Sequence, residues 1–155
     1  MEEKNKVEKS TLYLVATPIG NLSDISERAI KVLTEADFIA AEDTRNSLRL
    51  LSALGIKNEL VSYHEHNKKS SGERLVARLL SGESCALITD AGMPAISDPG
   101  EDIVRLCADA GITVSVIPGA CAAVSALSLS GLATSRFAFE ARRLSLGAQE
   151  WPKWS

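Results

Sequence analysis

No stretch of this chain approaches the roughly 20 consecutive apolar residues that a membrane-spanning helix needs. The start, Met1-Glu2-Glu3-Lys4-Asn5-Lys6, carries both signs of charge and lacks an apolar h-region, so it does not read as a signal peptide. Cysteine is scarce and odd in number. Cys85, Cys107 and Cys121 are widely spaced, which suits a reducing cytoplasm and argues against a disulfide framework or a zinc site. There is no excess of positive charge: the net charge is −3, so a nucleic-acid partner would have to use local basic faces. No internal repeat or low-complexity segment is visible. Two phosphate-cradling motifs are missing as well. The first turn, Ala16-Thr17-Pro18-Ile19-Gly20-Asn21, does not fit Gly-x-Gly-x-x-Gly, and no Walker loop is present.

What remains is an ordinary globular composition, 45% hydrophobic and 24% charged over 155 residues, enough for one domain with a real core. Residues 1–10 read as a mobile, solvated tail. From Thr11 the pattern alternates. Leu12 to Ala16, Phe38 to Ala41, Leu60 to Tyr63, Cys85 to Ile88 and Ile112 to Ile117 are short apolar runs suited to buried strands. Between them apolar residues recur at helical spacing: Ile25, Ala29, Val32, Leu33 and Ala36; Leu48, Leu51 and Leu54; Leu75, Val76, Leu79 and Leu80; Ile103, Leu106, Cys107 and Ala110. Gly55, Gly82 and Gly111 stop three of these helices, and Pro118-Gly119 opens a fifth, Ala120 to Leu129. Five strands alternating with five helices predict an α/β fold with a mostly parallel sheet covered on both faces. Right-handed crossovers then place every strand's carboxyl end on one edge, where ligands bind. Phe137-Ala138-Phe139 reads as the start of another strand, and Ala141 to Ser155 has no clear apolar period.

The segments at that edge are Thr17 to Gly20, Glu42 to Arg45, Tyr63 to Asn67, Asp90 to Gly100 and Pro118 to Ala122. Thr89 to Gly100 is the most informative. It holds two Gly, two Pro and two Asp, so its backbone has a specific shape, and a loop this long in a compact domain is uncommon without a function. A rigid connector is the competing reading.

Leu14 to Leu22, Ala41-Glu42-Asp43-Thr44-Arg45, Thr89 to Gly100 and Val116 to Ala120 together resemble the tetrapyrrole methylase superfamily. These methyltransferases bind S-adenosylmethionine between two α/β domains. The likeness covers about Thr11 to Phe139 and points to the branch that methylates ribose 2′-hydroxyls of small-subunit ribosomal RNA, on a cytidine. Carried over, it implies S-adenosyl-L-methionine contacts at Pro18, Ile19, Asp90, Ala91, Gly92, Met93, Pro118, Gly119, Cys121 and Ala122. The chain reads Thr89-Asp90-Ala91 where the superfamily has Gly-Asp-Pro, keeping the carboxylate. The likeness also implies a homodimer when full length and a cytoplasmic location. It divides the chain into residues 11–134 as the donor-binding domain and 135–155 as an altered end, with the family's second domain missing. On that expectation the chain by itself is inactive or nearly so. The face meant for the second domain, around Ala120 to Leu129 and from Phe137, is then exposed and apolar. Methylation of a tetrapyrrole or protein side chain, and an adenosine- or RNA-binding module without turnover, remain alternatives.

The chemistry is intelligible from the residues. The methyl donor is already activated by its sulfonium, so the protein mainly aligns a nucleophile with the methyl group. A ribose hydroxyl is a poor nucleophile and gains from a general base; Glu42, Asp43 and His64 are the candidates. Glu42-Asp43 equally fits charge at a helix start, with Thr44 as cap. Arg45, Asn67 and Lys68 are candidate RNA contacts, and Arg49, Lys69, Arg74 and Arg78 extend a possible phosphate-binding face. His64-Glu65-His66 lacks a third ligand at a recognisable spacing, so no metal is expected. Cys121 sits at a helix start, which can activate a thiol, but a small cleft-lining residue is the plainer reading.

Overall fold

The structure, a computed structural model, describes residues 6–64, 66, 68–96 and 100–139, with only the backbone of Lys68. Five strands are present: β1 (Thr11–Val15), β2 (Phe38–Ala41), β3 (Leu60–Ser62), β4 (Cys85–Ile88) and β5 (Thr113–Ile117). They alternate with α1 (Glu27–Glu35), α2 (Thr44–Ala53), α3 (Lys68–Leu80), α4 (Glu101–Asp109) and α5 (Ala122–Leu129). The sheet is parallel throughout, in the order β3-β2-β4-β1-β5, with β1 paired to β4 and β5 on its two sides.

The period of two along each strand splits the core into two layers. Tyr13, Val15, Ile39, Ala41, Ala86 and Ile88 face α1 and α2, meeting Ala29, Val32, Leu33 and Leu51. Leu12, Leu14, Phe38, Ala40, Cys85 and Leu87 face α3 and α4, meeting Leu75, Leu79, Ile103 and Cys107. Each fully buried Leu, Ile or Phe contributes about 1.5–3 kcal/mol. The chain moves one way across the sheet from β1 to β3 and the other way from β3 to β5. Right-handed crossovers therefore put the first two helices on one face and the next two on the other. The loops leaving neighbouring β1 and β4 consequently diverge to opposite faces, and the crevice between them is the switch point where open α/β sheets bind ligands.

Several expectations shift in detail. The first strand is Thr11–Val15 rather than Leu12 to Ala16, and α5 begins at Ala122 rather than Ala120. Leu48 and Leu80, expected on buried helix faces, are exposed, while Ser47 packs inward beside Leu51. Helical rotation explains both: Leu80 lies about 100° round from buried Leu79. Residues 137–139 form no strand. Glu8 N donates to the Tyr13 hydroxyl at 2.7 Å, and Ser10 N to Glu83 O at 3.1 Å. Residues 1–5 and 140–155 lie outside the described ones.

α5 is unlike the other helices. None of its residues is buried, although its sequence, Ala122 to Leu129, is apolar. Leu132, Phe137 and Phe139, further along the chain, are exposed as well.

Candidate functional site

Three of the predicted segments meet at the switch point. Thr17 N donates to Gly92 O at 3.0 Å and Gly92 N to Thr17 O at 3.1 Å, an isolated antiparallel bridge between the loops after β1 and β4. The Thr17 hydroxyl donates to Thr89 O at 3.2 Å. Gly92 has φ +85, and a Cβ there would stand 3.3 Å from Ile19 Cγ2 and 3.5 Å from the Ala120 carbonyl. A Cβ on Gly119 would come within 2.8 Å of Ala16 Cβ, so only glycine lets the Pro118-Gly119 turn close on the residue just after β1. The β4 loop then turns through Ala95, a non-glycine residue at φ 67, a conformation that costs of order 1–3 kcal/mol. Ser97, Asp98 and Pro99 lie outside the described residues.

Pro18, Ile19, Ala91, Met93, Pro118, Cys121 and Ala122 lie on or beside the loops that meet at the switch point. Ile19, Ala91, Pro118 and Ala122 are exposed; Pro18, Met93 and Cys121 are half-buried. Asp90 is exposed; it accepts from Asn46 Nδ2 at 3.4 Å, which ties the β4 loop to α2. β4 ends before Asp90, and the buried position at this bend is taken by Thr89. The Thr89 hydroxyl is buried without a hydrogen-bond partner among the described residues. A buried polar atom left so costs of order 1–3 kcal/mol.

Asp43 is a helix cap. Its carboxylate accepts from Arg45 N at 2.8 Å and Asn46 N at 3.4 Å, so Asp43, not Thr44, caps α2. Glu42 precedes it, half-buried at the end of β2. His64 is half-buried past β3, its ring 5.9 Å from that of His66. Glu65 and Asn67 lie outside the described residues, as does the Lys68 side chain. Among the described residues no three His, Cys, Asp or Glu side chains gather at metal-binding distances.

The expected basic face is divided. The Arg45 side chain is 90% exposed, with only a 3.9 Å approach to Asp43. Arg78 is instead a structural group. It grips Glu83 through Nε and Nη2 at 2.8 and 2.7 Å, reaches Glu59 at 2.8 and 3.0 Å, and stacks 3.6 Å over the Phe38 ring. Those contacts hold its guanidinium in the charged form and draw the Glu83 carboxyl below its ordinary range. Spacing gave no signal of this, since Glu59 and Glu83 stand on other segments, just before β3 and β4. Cys107 is pushed up to about 11 by burial, and the fully buried Cys85 is pushed up as well, so both are inert core thiols.

A parallel sheet with glycine-shaped loops converging at its switch point is an open α/β architecture, a class that binds ligands at that edge. Comparison with known proteins makes the class definite. The chain belongs to the tetrapyrrole (corrin/porphyrin) methylases, whose family profile matches residues 11–152. It is 58% identical over 132 residues to Ribosomal RNA small subunit methyltransferase I of Halalkalibacterium halodurans, covering 85% of this chain and 46% of that protein. The protein of the same name from Pasteurella multocida is 56% identical over 129 residues, covering 83% and 46%. Among solved structures, uroporphyrin-III-C-methyltransferase from Thermus thermophilus superposes with a TM-score of 0.60 at 27% identity, over 82% of this chain and 54% of that one. The chain thus spans about half the length of the curated relatives it matches.

Proposed function

We propose that this chain is the S-adenosylmethionine-holding domain of a methyltransferase that modifies a cytidine ribose 2′-hydroxyl in small-subunit ribosomal RNA. The observation that carries the reading is its more than 50% identity to proteins named for that RNA, over more than four fifths of the chain. The residues fit a donor. Two glycine positions keep the edge free of side chains, and the buried Thr89 hydroxyl has hydrogen-bonding capacity to spare. Pro18, Ile19, Asp90 to Met93, and Pro118, Gly119, Cys121 and Ala122 would hold the donor, and residues 11–134 are the unit that does so. When bound, S-adenosylmethionine supplies an electrophilic methyl group.

The chain's part is placement of the ribose and disposal of its proton. Asp43 is engaged by α2 amides, so Glu42 and His64 stand as the groups for that proton. Arg45, 90% exposed at the same edge, suits an RNA phosphate, with Asn67 and Lys68 as further contacts. On this reading the protein works in the cytoplasm on ribosomal subunits, as a homodimer when whole. No described helix is long and apolar enough to cross a membrane.

Transfer of labelled methyl from S-adenosylmethionine to purified small subunits, by a protein of the relatives' full length that carries this chain, followed by nuclease digestion, tests the proposal. Label recovered as 2′-O-methylcytidine is the expected result. Label entering a tetrapyrrole instead would favour the activity named for the Thermus relative, and donor binding without transfer would make the chain a binding module.

A further inference from the structure

A second charged feature lies away from the switch point. An open groove of about 930 Å³ runs between the outer edge of β5, α1 and the segment before β1. Lys6, Lys9, Arg28 and Lys31 line it, against two carboxylates, Glu8 and Glu35. Lys31 is paired with Glu35 at 3.6 Å. Lys6, Lys9 and Arg28 make no ion pair within 4 Å among the described residues, although Lys9 lies near enough to Asp37 to favour its charged form. The groove thus carries four cations against two carboxylates in a chain of net charge −3. Its floor is also polar: Thr113 and Ser115, on the free edge of β5, present hydroxyls where buried strands carry apolar side chains.

We propose that this groove binds the phosphate backbone of an RNA strand. The inference rests on the RNA-methylating reading above and extends it to a surface outside the donor site. α1 runs antiparallel to β1, so Arg28, in its first turn, stands at the carboxyl edge, and Glu35 at the far end. The groove's lining stops short of the loops at that edge, and Arg28 is its nearest cation, so a strand whose ribose sits there would pass Arg28 on its way into the groove. Its volume is at the upper end for small-molecule pockets, roughly 300–1,000 Å³, and it is open along its length, which suits a polymer. Phosphate contacts of this kind position a strand without reading its sequence.

The test is fluorescence anisotropy of a labelled single-stranded oligoribonucleotide with this chain across a salt series. The double variant Lys6→Gln/Arg28→Gln should bind at least tenfold more weakly. Its dependence of log K on log salt should be shallower by about 0.7 per lost phosphate contact. A control of equal charge change, Lys57→Gln/Arg105→Gln, should leave both unchanged. Equal losses in the two double variants, no loss in the groove variant, no RNA binding by the unaltered chain, or equally tight binding of polyglutamate would each overturn the proposal. Calorimetric binding of S-adenosylmethionine, measured on the same samples, judges the donor reading independently. A groove that fails while donor binding and methyl transfer persist leaves the proposed function standing.

Discussion

Thr17 and Gly92 exchange both of their backbone hydrogen bonds, at 3.0 and 3.1 Å, and so lock together two loops that leave adjacent strands toward opposite faces of the sheet. The Thr17 hydroxyl, donating to Thr89 O at 3.2 Å, adds a third tie between the same loops. Gly92→Ala should damage the switch-point crevice twice over. Left-handed backbone costs an L-residue about 1–2 kcal/mol, and the new Cβ would press on Ile19. Titration calorimetry should show S-adenosylmethionine affinity at least tenfold lower, with circular dichroism unchanged. Undiminished affinity would remove Gly92 from the site.

Asp43 separates capping from catalysis. Asp43→Ala should cost about 1 kcal/mol, read as a lower urea midpoint at constant slope, because two α2 amides lose their acceptor. Asp43→Asn caps equally well and should restore stability. If the Asn variant is stable yet transfers no methyl group, the carboxylate has a chemical role that its capping geometry does not suggest.

Arg78→Ala should lower stability by about 1–3 kcal/mol, since the side chain is half-buried, doubly paired and stacked on Phe38. Arg78→Lys should rescue little, because an ammonium cannot fork to two carboxylates or stack. Thermal unfolding of the three proteins checks this. Full rescue by Lys would reduce Arg78 to a point charge.

Asp37 gives the fold an acid-sensitive contact. Ser84 donates to Asp37 Oδ2 from its amide at 2.7 Å and its hydroxyl at 2.8 Å, which holds the carboxyl below its ordinary value of 3.8. A lowered folded-state pKa stabilises the fold above the unfolded value, and that gain fades as pH falls through the folded one. Melting temperatures of the wild type and Asp37→Asn should therefore differ near neutrality and converge as the pH falls below about 4. A gap that persists at low pH would show that charge is not the cause.

The fold was largely legible because apolar period and glycine stops act locally: Phe38 to Ala41 and Cys85 to Ile88 are strands as expected. The convergence of Ile19, Gly92 and Ala120 was legible only through topology, since they are far apart in sequence. What pattern could not reveal was pairing. Arg78 looked like any helical surface cation because its partners, Glu59 and Glu83, come from other segments. Asp43 and Asp90 carry the same side chain at the same sheet edge, yet one caps a helix and the other stands exposed. Leu48 matched a helical stripe, but a stripe does not say how far the covering layer extends.

The central claim is that the loops after β1, β4 and β5 form one donor-holding edge. Amide hydrogen exchange of the chain, with and without saturating S-adenosylmethionine, tests it most directly. Slowed exchange confined to Thr17–Leu22, Thr89–Ile96 and Gly119–Ala122, and abolished by Gly92→Ala, is the predicted result. Protection centred on β3 and α3 instead, or a chain that binds the donor with no change at these loops, would contradict it.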